Sequence, residues 1–162
     1  MKKVIKSYLF LFLLAGIIIV LDQYTKNLVR ANLNYGEVWT PWEWLMPYAR
    51  IVHWYNTGVA FGLFQGMGLL FTFLPLIVVI FILIFYSRLA GGNWWLRVAI
   101  GLELGGAIGN LIDRIKIGHV TDFISIGDFA VFNVADASIT IGVVVMMIAL
   151  WQEEKKNSPK SV

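Results

Sequence analysis

Asp122 and Asp136 stand at the entrance to an apolar run in "VTDFISIGDFAVFNVADASITIGVVVMMIAL", residues 120–150. Neither has a basic residue within one helical turn along the sequence, so a local ion pair explains neither. An ionisable side chain costs roughly 2.5–3.5 kcal/mol at the centre of a membrane helix, which makes acids at the edge of such a run functional candidates. Asp136 is expected about one turn inside the outer end of the run, and Asp122 at the head of a loop that returns to start it, so the two can meet. Carboxylates that share a partly dry site cannot both ionise cheaply, and one keeps a proton. The ionised one can then deprotonate water while the protonated one polarises a peptide carbonyl, the chemistry of an aspartic protease. Structural carboxylates also perturb one another, so spacing alone leaves the assignment open.

Other polar residues have simpler readings. Asp22 has Lys26 one turn later, the spacing of a local ion pair, and Asp113 adjoins Arg114. Asn110 and Arg114 share a helical face, and Glu103 falls on the same stripe near mid-span, where it must be neutral or paired if it faces inward. Asp128 needs no buried role. His53 and His119 lack partners at zinc-site spacing. Ser125 and Ser138 have no nucleophile motif, and "GGAIGN" (105–110) ends a helix where a phosphate cradle would open one. With no cysteine there is no disulfide, thiolate or Cys-ligated metal. No metal and no cofactor is implied.

The elements that must position these residues are membrane helices. Hydrophobic residues make up 59% of the 162-residue chain and charged residues 14%, far from the balance of a water-soluble domain. About 20 apolar residues cross a hydrocarbon core. Runs at about 8–28, 69–86, 95–112 and 131–151 meet that requirement, the third least well. Lys2, Lys3 and Lys6 before the first run suggest a secretory signal peptide, but "LDQYTKN" follows it where small residues would be needed for cleavage, so a permanent helix is expected. Basic residues lie in the N-terminal tail, in the 87–95 connection and in the tail with Lys155, Lys156 and Lys160, which predicts that both termini are cytoplasmic. The segments at about 29–68 and 113–130 then lie outside. The net charge of +3 reflects this topology and signals no nucleic-acid partner.

The expected fold is therefore mainly α, a polytopic membrane protein of four transmembrane helices in a single domain over 1–162, with a small β-containing interfacial segment on the outer side. That segment carries Trp39, Trp42, Trp44, Tyr48, Trp54 and Tyr55, rings that favour the headgroup layer. "RIVHWYN" is β-prone and "NTGVAFG" is punctuated by glycine, suggesting a strand or two near a tight turn; anchoring accounts for the tryptophans but not for Asn56 beside Gly58. Gly101, Gly105 and Gly109 recur every four residues, with Gly106 beside the second, which lets helix backbones approach closely. Pro75 kinks the second span without ending it. The halves do not repeat, which weighs against an inverted-repeat transporter.

Taken in order, "LDQYTK" (21–26), "NTGVAFG" (56–62), "GGAIGNLIDR" (105–114), "VTDF" (120–123) and "FNVADASI" (132–139) resemble the motifs of the lipoprotein signal peptidases, also called signal peptidase II. With the four spans the resemblance covers nearly the whole chain. It implies a bacterial enzyme of the cytoplasmic (inner) membrane, with its active site near the outer face. Such an enzyme removes signal peptides from prolipoproteins by cutting before a cysteine that already carries diacylglyceryl. By matching position, the resemblance puts the catalytic dyad on Asp122 and Asp136. Asn56, Asn110, Arg114 and Asn133 then bind substrate or hold the dyad, and Asp22, Lys26 and Asp113 are mainly structural. Partners implied are diacylglyceryl-modified prolipoprotein signal peptides, membrane lipid and cyclic-peptide inhibitors of the globomycin type, with the enzyme working as a monomer. The rival readings are a proton-linked carrier that uses Glu103 and a membrane scaffold that uses its glycine face and aromatic segment for partner binding.

Overall fold

The computed structural model describes residues 2–57 and 68–157, so residues 58–62 of "NTGVAFG" lie outside the described residues. Helix α1 (Lys2–Asn32) leads into the short strand β1 (Val38–Trp39), a single 3₁₀ turn (Glu43–Leu45) and strand β2 (Ala49–Asn56). Helices α2 (Gly68–Leu89) and α3 (Trp94–Ile117) follow, then strand β3 (Val120–Ile126) and helix α4 (Val134–Asn157). All four helices are long and apolar enough to cross a membrane.

Helices α1, α2 and α3 extend past both ends of the apolar runs that mark them in the sequence, and α4 past the C-terminal end of its run. Asn93 opens α3 by accepting from the amides of Trp95 and Leu96. Gly118 closes it in the left-handed conformation, φ 78°, where a side chain would be strained. The fourth helix starts at Val134, later than the apolar run at 131, since Asn133 caps it. Pro75 lies within a continuous α2.

The weakest span in hydropathy is the central one. In α3 61% of the spanning stretch is buried, against 11%, 17% and 22% in the others, and α3 packs against α1, α2 and α4. A helix surrounded by protein has no need of a lipid-like exterior, which is why Gly, Asn, Asp and Glu are admitted there. A Cβ on Gly101 would come within 2.8 Å of Leu14 and one on Gly105 within 2.7 Å of Ile18, both on α1. On the opposite flank a Cβ on Gly106 would stand 2.5 Å from the Ala135 carbonyl of α4. Around α3 the apolar core is built from Leu11, Ala15, Val79, Ile82, Tyr86, Ile100 and Leu104.

The strands form an antiparallel sheet in the order β1-β2-β3. Residues 120–126, expected as a loop that begins at Asp122, are instead its third strand: Val120, Thr121 and Asp122 pair with Asn56, Tyr55 and Trp54 of β2. "VTDFISI" is rich in β-branched residues, Val120, Thr121, Ile124 and Ile126, a strand signal that the acidic residue obscures. The sheet sits at the end of the bundle where α1 and α3 finish and α4 begins. Trp39, Trp42, Trp44, Tyr48 and Trp54 all remain largely exposed there, as side chains destined for a headgroup layer would.

Candidate functional site

Alternation along the strands places Trp54, Asn56 and Asp122 on one face of the sheet. Asn56 is the diagonal neighbour of Asp122, and its Nδ2 donates to Asp122 Oδ2 at 2.8 Å. The first turn of α4 approaches from the other side. Asn133 caps that helix: its Oδ1 accepts from the Asp136 amide at 3.0 Å, while Asp136 Oδ2 accepts from the Asn133 amide at 3.2 Å, a reciprocal capping box. With its Oδ1 so engaged, Asn133 turns its Nδ2 to Asp122 Oδ1 at 2.6 Å and to Asn110 Oδ1 at 3.1 Å. Asn110 of α3 in turn donates to Asp136 Oδ1 at 2.7 Å. The two aspartates are thus joined through shared asparagines, each carboxyl accepting two N–H donors.

Beneath this lies a fully buried ion cluster. Lys26 Nζ is 2.8 Å from Asp22 Oδ2, 2.8 Å from Asn110 Oδ1 and 3.5 Å from Asp113 Oδ2, so each of its three N–H bonds has an acceptor. Asp22 Oδ1 also accepts from the Ala135 amide at 3.0 Å, supplying a negative charge to the N-terminus of α4. Asp113 is held by Lys26 and Arg30 of α1 and accepts from the Thr121 amide of β3 at 3.1 Å. Asp22, Lys26 and Asp113 are buried but paired, the condition under which burial is tolerated, while Arg30 stays partly exposed.

Asp122 is 1% exposed. Burial, reinforced by the Asp136 carboxylate, pushes its carboxyl up to about 7, against the opposing pull of the Asn56 and Asn133 hydrogen bonds and of Lys26. Asp136 borders an open groove of about 490 Å³ together with Asn56, Arg114, Phe129, Val131 and Ile139. Polar groups meet apolar walls in this groove, as a lipid-bearing peptide would require.

All the sequence-derived site residues fall within this assembly: Asp122 and Asp136 at its centre, Asn56, Asn110 and Asn133 on their oxygens, Arg114 along the groove, and Asp22, Lys26 and Asp113 below. Gln23, Arg30 and Thr121 belong to it as well and were missed. Gln23 Nε2 donates to Asp22, Asp113 and the Gly109 carbonyl at 3.1–3.2 Å, and Arg30 donates to Thr121 Oγ1 at 2.8 Å. The four-residue spacing of Asp22, Lys26 and Arg30 along one helix face was the available signal. Glu103 stands apart, against Gly142 of α4, with its Oε1 buried and without a hydrogen-bond partner among the described residues. Ser138 Oγ is spent on the Ala135 and Leu102 carbonyls.

Known proteins resemble this chain over most of its length. The family Signal peptidase (SPase) II matches residues 14–152. The chain is similar to the lipoprotein signal peptidase of Staphylococcus haemolyticus, 36% identical over 158 residues, covering 94% of this chain and 97% of that one. It is 33% identical to that of Streptococcus agalactiae serotype Ia over 144 residues, covering 88% of this chain and 92% of the relative. Its fold is similar to a bacterial membrane enzyme structure determined by the in meso method, with a TM-score of 0.84 at 33% identity, covering 94% of this chain and 93% of the other. None of these matches supports a carrier working through Glu103. With the family match spanning most of its length, the chain belongs to the signal peptidase II family.

Proposed function

We propose that this protein is an aspartic endopeptidase of the membrane that removes signal peptides from diacylglyceryl-modified prolipoproteins, with Asp122 and Asp136 as its dyad. The observation that carries this reading is the pair of carboxyls bridged by Asn133 and Asn110 at the edge of an apolar groove. Family membership supports the peptidase and its substrate class; the dyad rests on the geometry.

In the reaction the ionised aspartate takes a proton from water as the water oxygen bonds to the scissile carbonyl carbon, and the protonated aspartate gives its proton to the carbonyl oxygen. The resulting gem-diol collapses. The second aspartate recovers a proton from a diol hydroxyl, the first protonates the leaving nitrogen, and the C–N bond breaks. The products are a signal peptide ending in a carboxyl group and a lipoprotein with a free amine on its cysteine. Because Asn56 covers Asp122, productive binding draws the Asn56 amide from Asp122 Oδ2 onto the peptide backbone, and Arg114 grips the chain along the groove. Asp22, Lys26 and Asp113 act below as the structural support.

The lysines at the start of α1, Arg88 at the end of α2 and Lys155 and Lys156 at the end of α4 belong to the helix ends away from the sheet, which supports placing both termini in the cytoplasm and the dyad near the outer face of the inner membrane, in one membrane domain. The exposed tryptophans would seat the sheet at the lipid surface, where an acylated cysteine can enter from the side. The decisive experiment is cleavage of a purified, verified lipidated prolipoprotein by the protein in detergent, compared with Asp122→Asn and Asp136→Asn. Cleavage by wild type alone supports the reading, and a folded wild type that fails to cut, or a mutant that cuts normally, overturns it.

A further inference from the structure

Lys26 is 0% exposed and, as an ammonium, can only donate. Because Asn110 Oδ1 receives Lys26 Nζ at 2.8 Å and Asn133 Nδ2 at 3.1 Å, the Asn110 amide has one orientation open to it, with Nδ2 toward Asp136. The other oxygen of Asp136 accepts a backbone amide, which cannot reverse its polarity. Both oxygens of Asp136 therefore face donors fixed by their surroundings, a setting that suits a carboxylate. Asp136 also lies in the first turn of α4, where the helix dipole favours negative charge. Asp122 lies on a strand, which offers no such dipole, and is the more enclosed of the two.

We propose that Lys26 is a positioning residue that, through the Asn110 amide, makes Asp136 the base of the dyad and leaves the shared proton on Asp122. The proposal rests on the peptidase reading and assigns its two roles: Asp136 takes the proton of the attacking water, and Asp122 gives its proton to the carbonyl oxygen. The charged groups around the dyad are Asp22, Lys26 and Arg30 from α1, and Asp113 and Arg114 from α3; β2 contributes the neutral Asn56. Lys26 is hydrogen-bonded to an asparagine that itself holds a dyad oxygen. Its buried pairing with Asp22 would serve stability alone equally well; its bond to Asn110 is what ties it to the chemistry.

The test uses two readouts on the full-length protein in detergent. The first is the pH profile of cleavage of a lipidated prolipoprotein by wild type, Lys26→Met and Lys26→Arg. Losing the cation should move both limbs of the profile to higher pH by about one unit, with Lys26→Arg restoring them at least in part. A purely structural Lys26 would lower the rate at every pH and leave the limbs in place. The second readout needs no substrate. Asparagine imitates a protonated aspartate, so at pH 6 Asp122→Asn should melt close to wild type, whereas Asp136→Asn should melt about 2–8 °C lower through loss of the carboxylate in the capping box. Unmoved limbs, or Asp136→Asn as stable as Asp122→Asn, overturn the proposal. If wild type cuts no lipidated substrate while the melting order holds, the peptidase reading fails and the proton assignment stands.

Discussion

Gly109 of α3 lies against the carboxylate of Asp22 on α1, so close that a Cβ at position 109 would stand 2.7 Å from Asp22 Oδ2. The same carboxylate holds Lys26 with that oxygen and the Ala135 amide with the other. It therefore cannot yield without disturbing α1 and the start of α4 together. Gly109→Ala should cost about 1–3 kcal/mol of stability and reduce cleavage, as overpacking does. Gly16 also lies in a helix but has nothing within 4 Å of a Cβ, so Gly16→Ala should be neutral or stabilising by up to about 1 kcal/mol. Thermal melting of both variants in one detergent checks the contrast.

Replacement of either central carboxyl should lower turnover by about 10³-fold or more, because in the proposed mechanism each supplies a proton-transfer step that water does poorly. The loss should appear in kcat with binding of lipidated peptide largely kept for Asp122→Asn, whose amide can still bond to Asn56. Single-turnover cleavage paired with a binding titration separates the two quantities.

Asn133 combines a helix cap with the link between the aspartates, and two substitutions divide these roles. Asn133→Ala removes both and should cost about 1–3 kcal/mol together with most of the activity. Asn133→Ser keeps a capping oxygen for the Asp136 amide but has no Nδ2 for Asp122 and Asn110, so it should recover most of the stability and little of the turnover. Melting temperature against cleavage rate, plotted for the three proteins, is the check.

The raised pKa of Asp122, about 7 in the folded protein, fixes the sign of a pH effect on stability. In the unfolded chain this carboxyl ionises near its ordinary value of about 3.9. Between those pH values the unfolded chain has given up a proton that the native state retains, so this group's contribution to stability falls as pH rises and levels off above 7. Asp122→Asn removes the titration. The difference in melting temperature between mutant and wild type should therefore widen in the mutant's favour from pH 5 to pH 8.

Much of this arrangement was legible in the chain. Four spans followed from hydropathy, and the face shared by Asn110 and Arg114 followed from helical spacing. The ion pair of Asp22 and Lys26 was read correctly from its i,i+4 separation. Its second duty was not legible, since the bonds to Ala135 and Asn110 cross between helices far apart in sequence. The strand at 120–126 was hidden for a related reason: its partner is β2, and an isolated acidic residue in "VTDFISI" looks like a loop until Trp54 is set opposite it. The weak hydropathy of α3 was visible, but its cause, a central position among the other helices, is a property of the packed bundle.

The polar groups around Asp122 and Asp136 come from α1, β2, α3, β3 and α4, and no single hairpin contains enough of them to orient both carboxyls. A nascent chain that has inserted only its first helices has not yet assembled this pair. Completion of the bundle is thus what orients the two carboxyls toward one another.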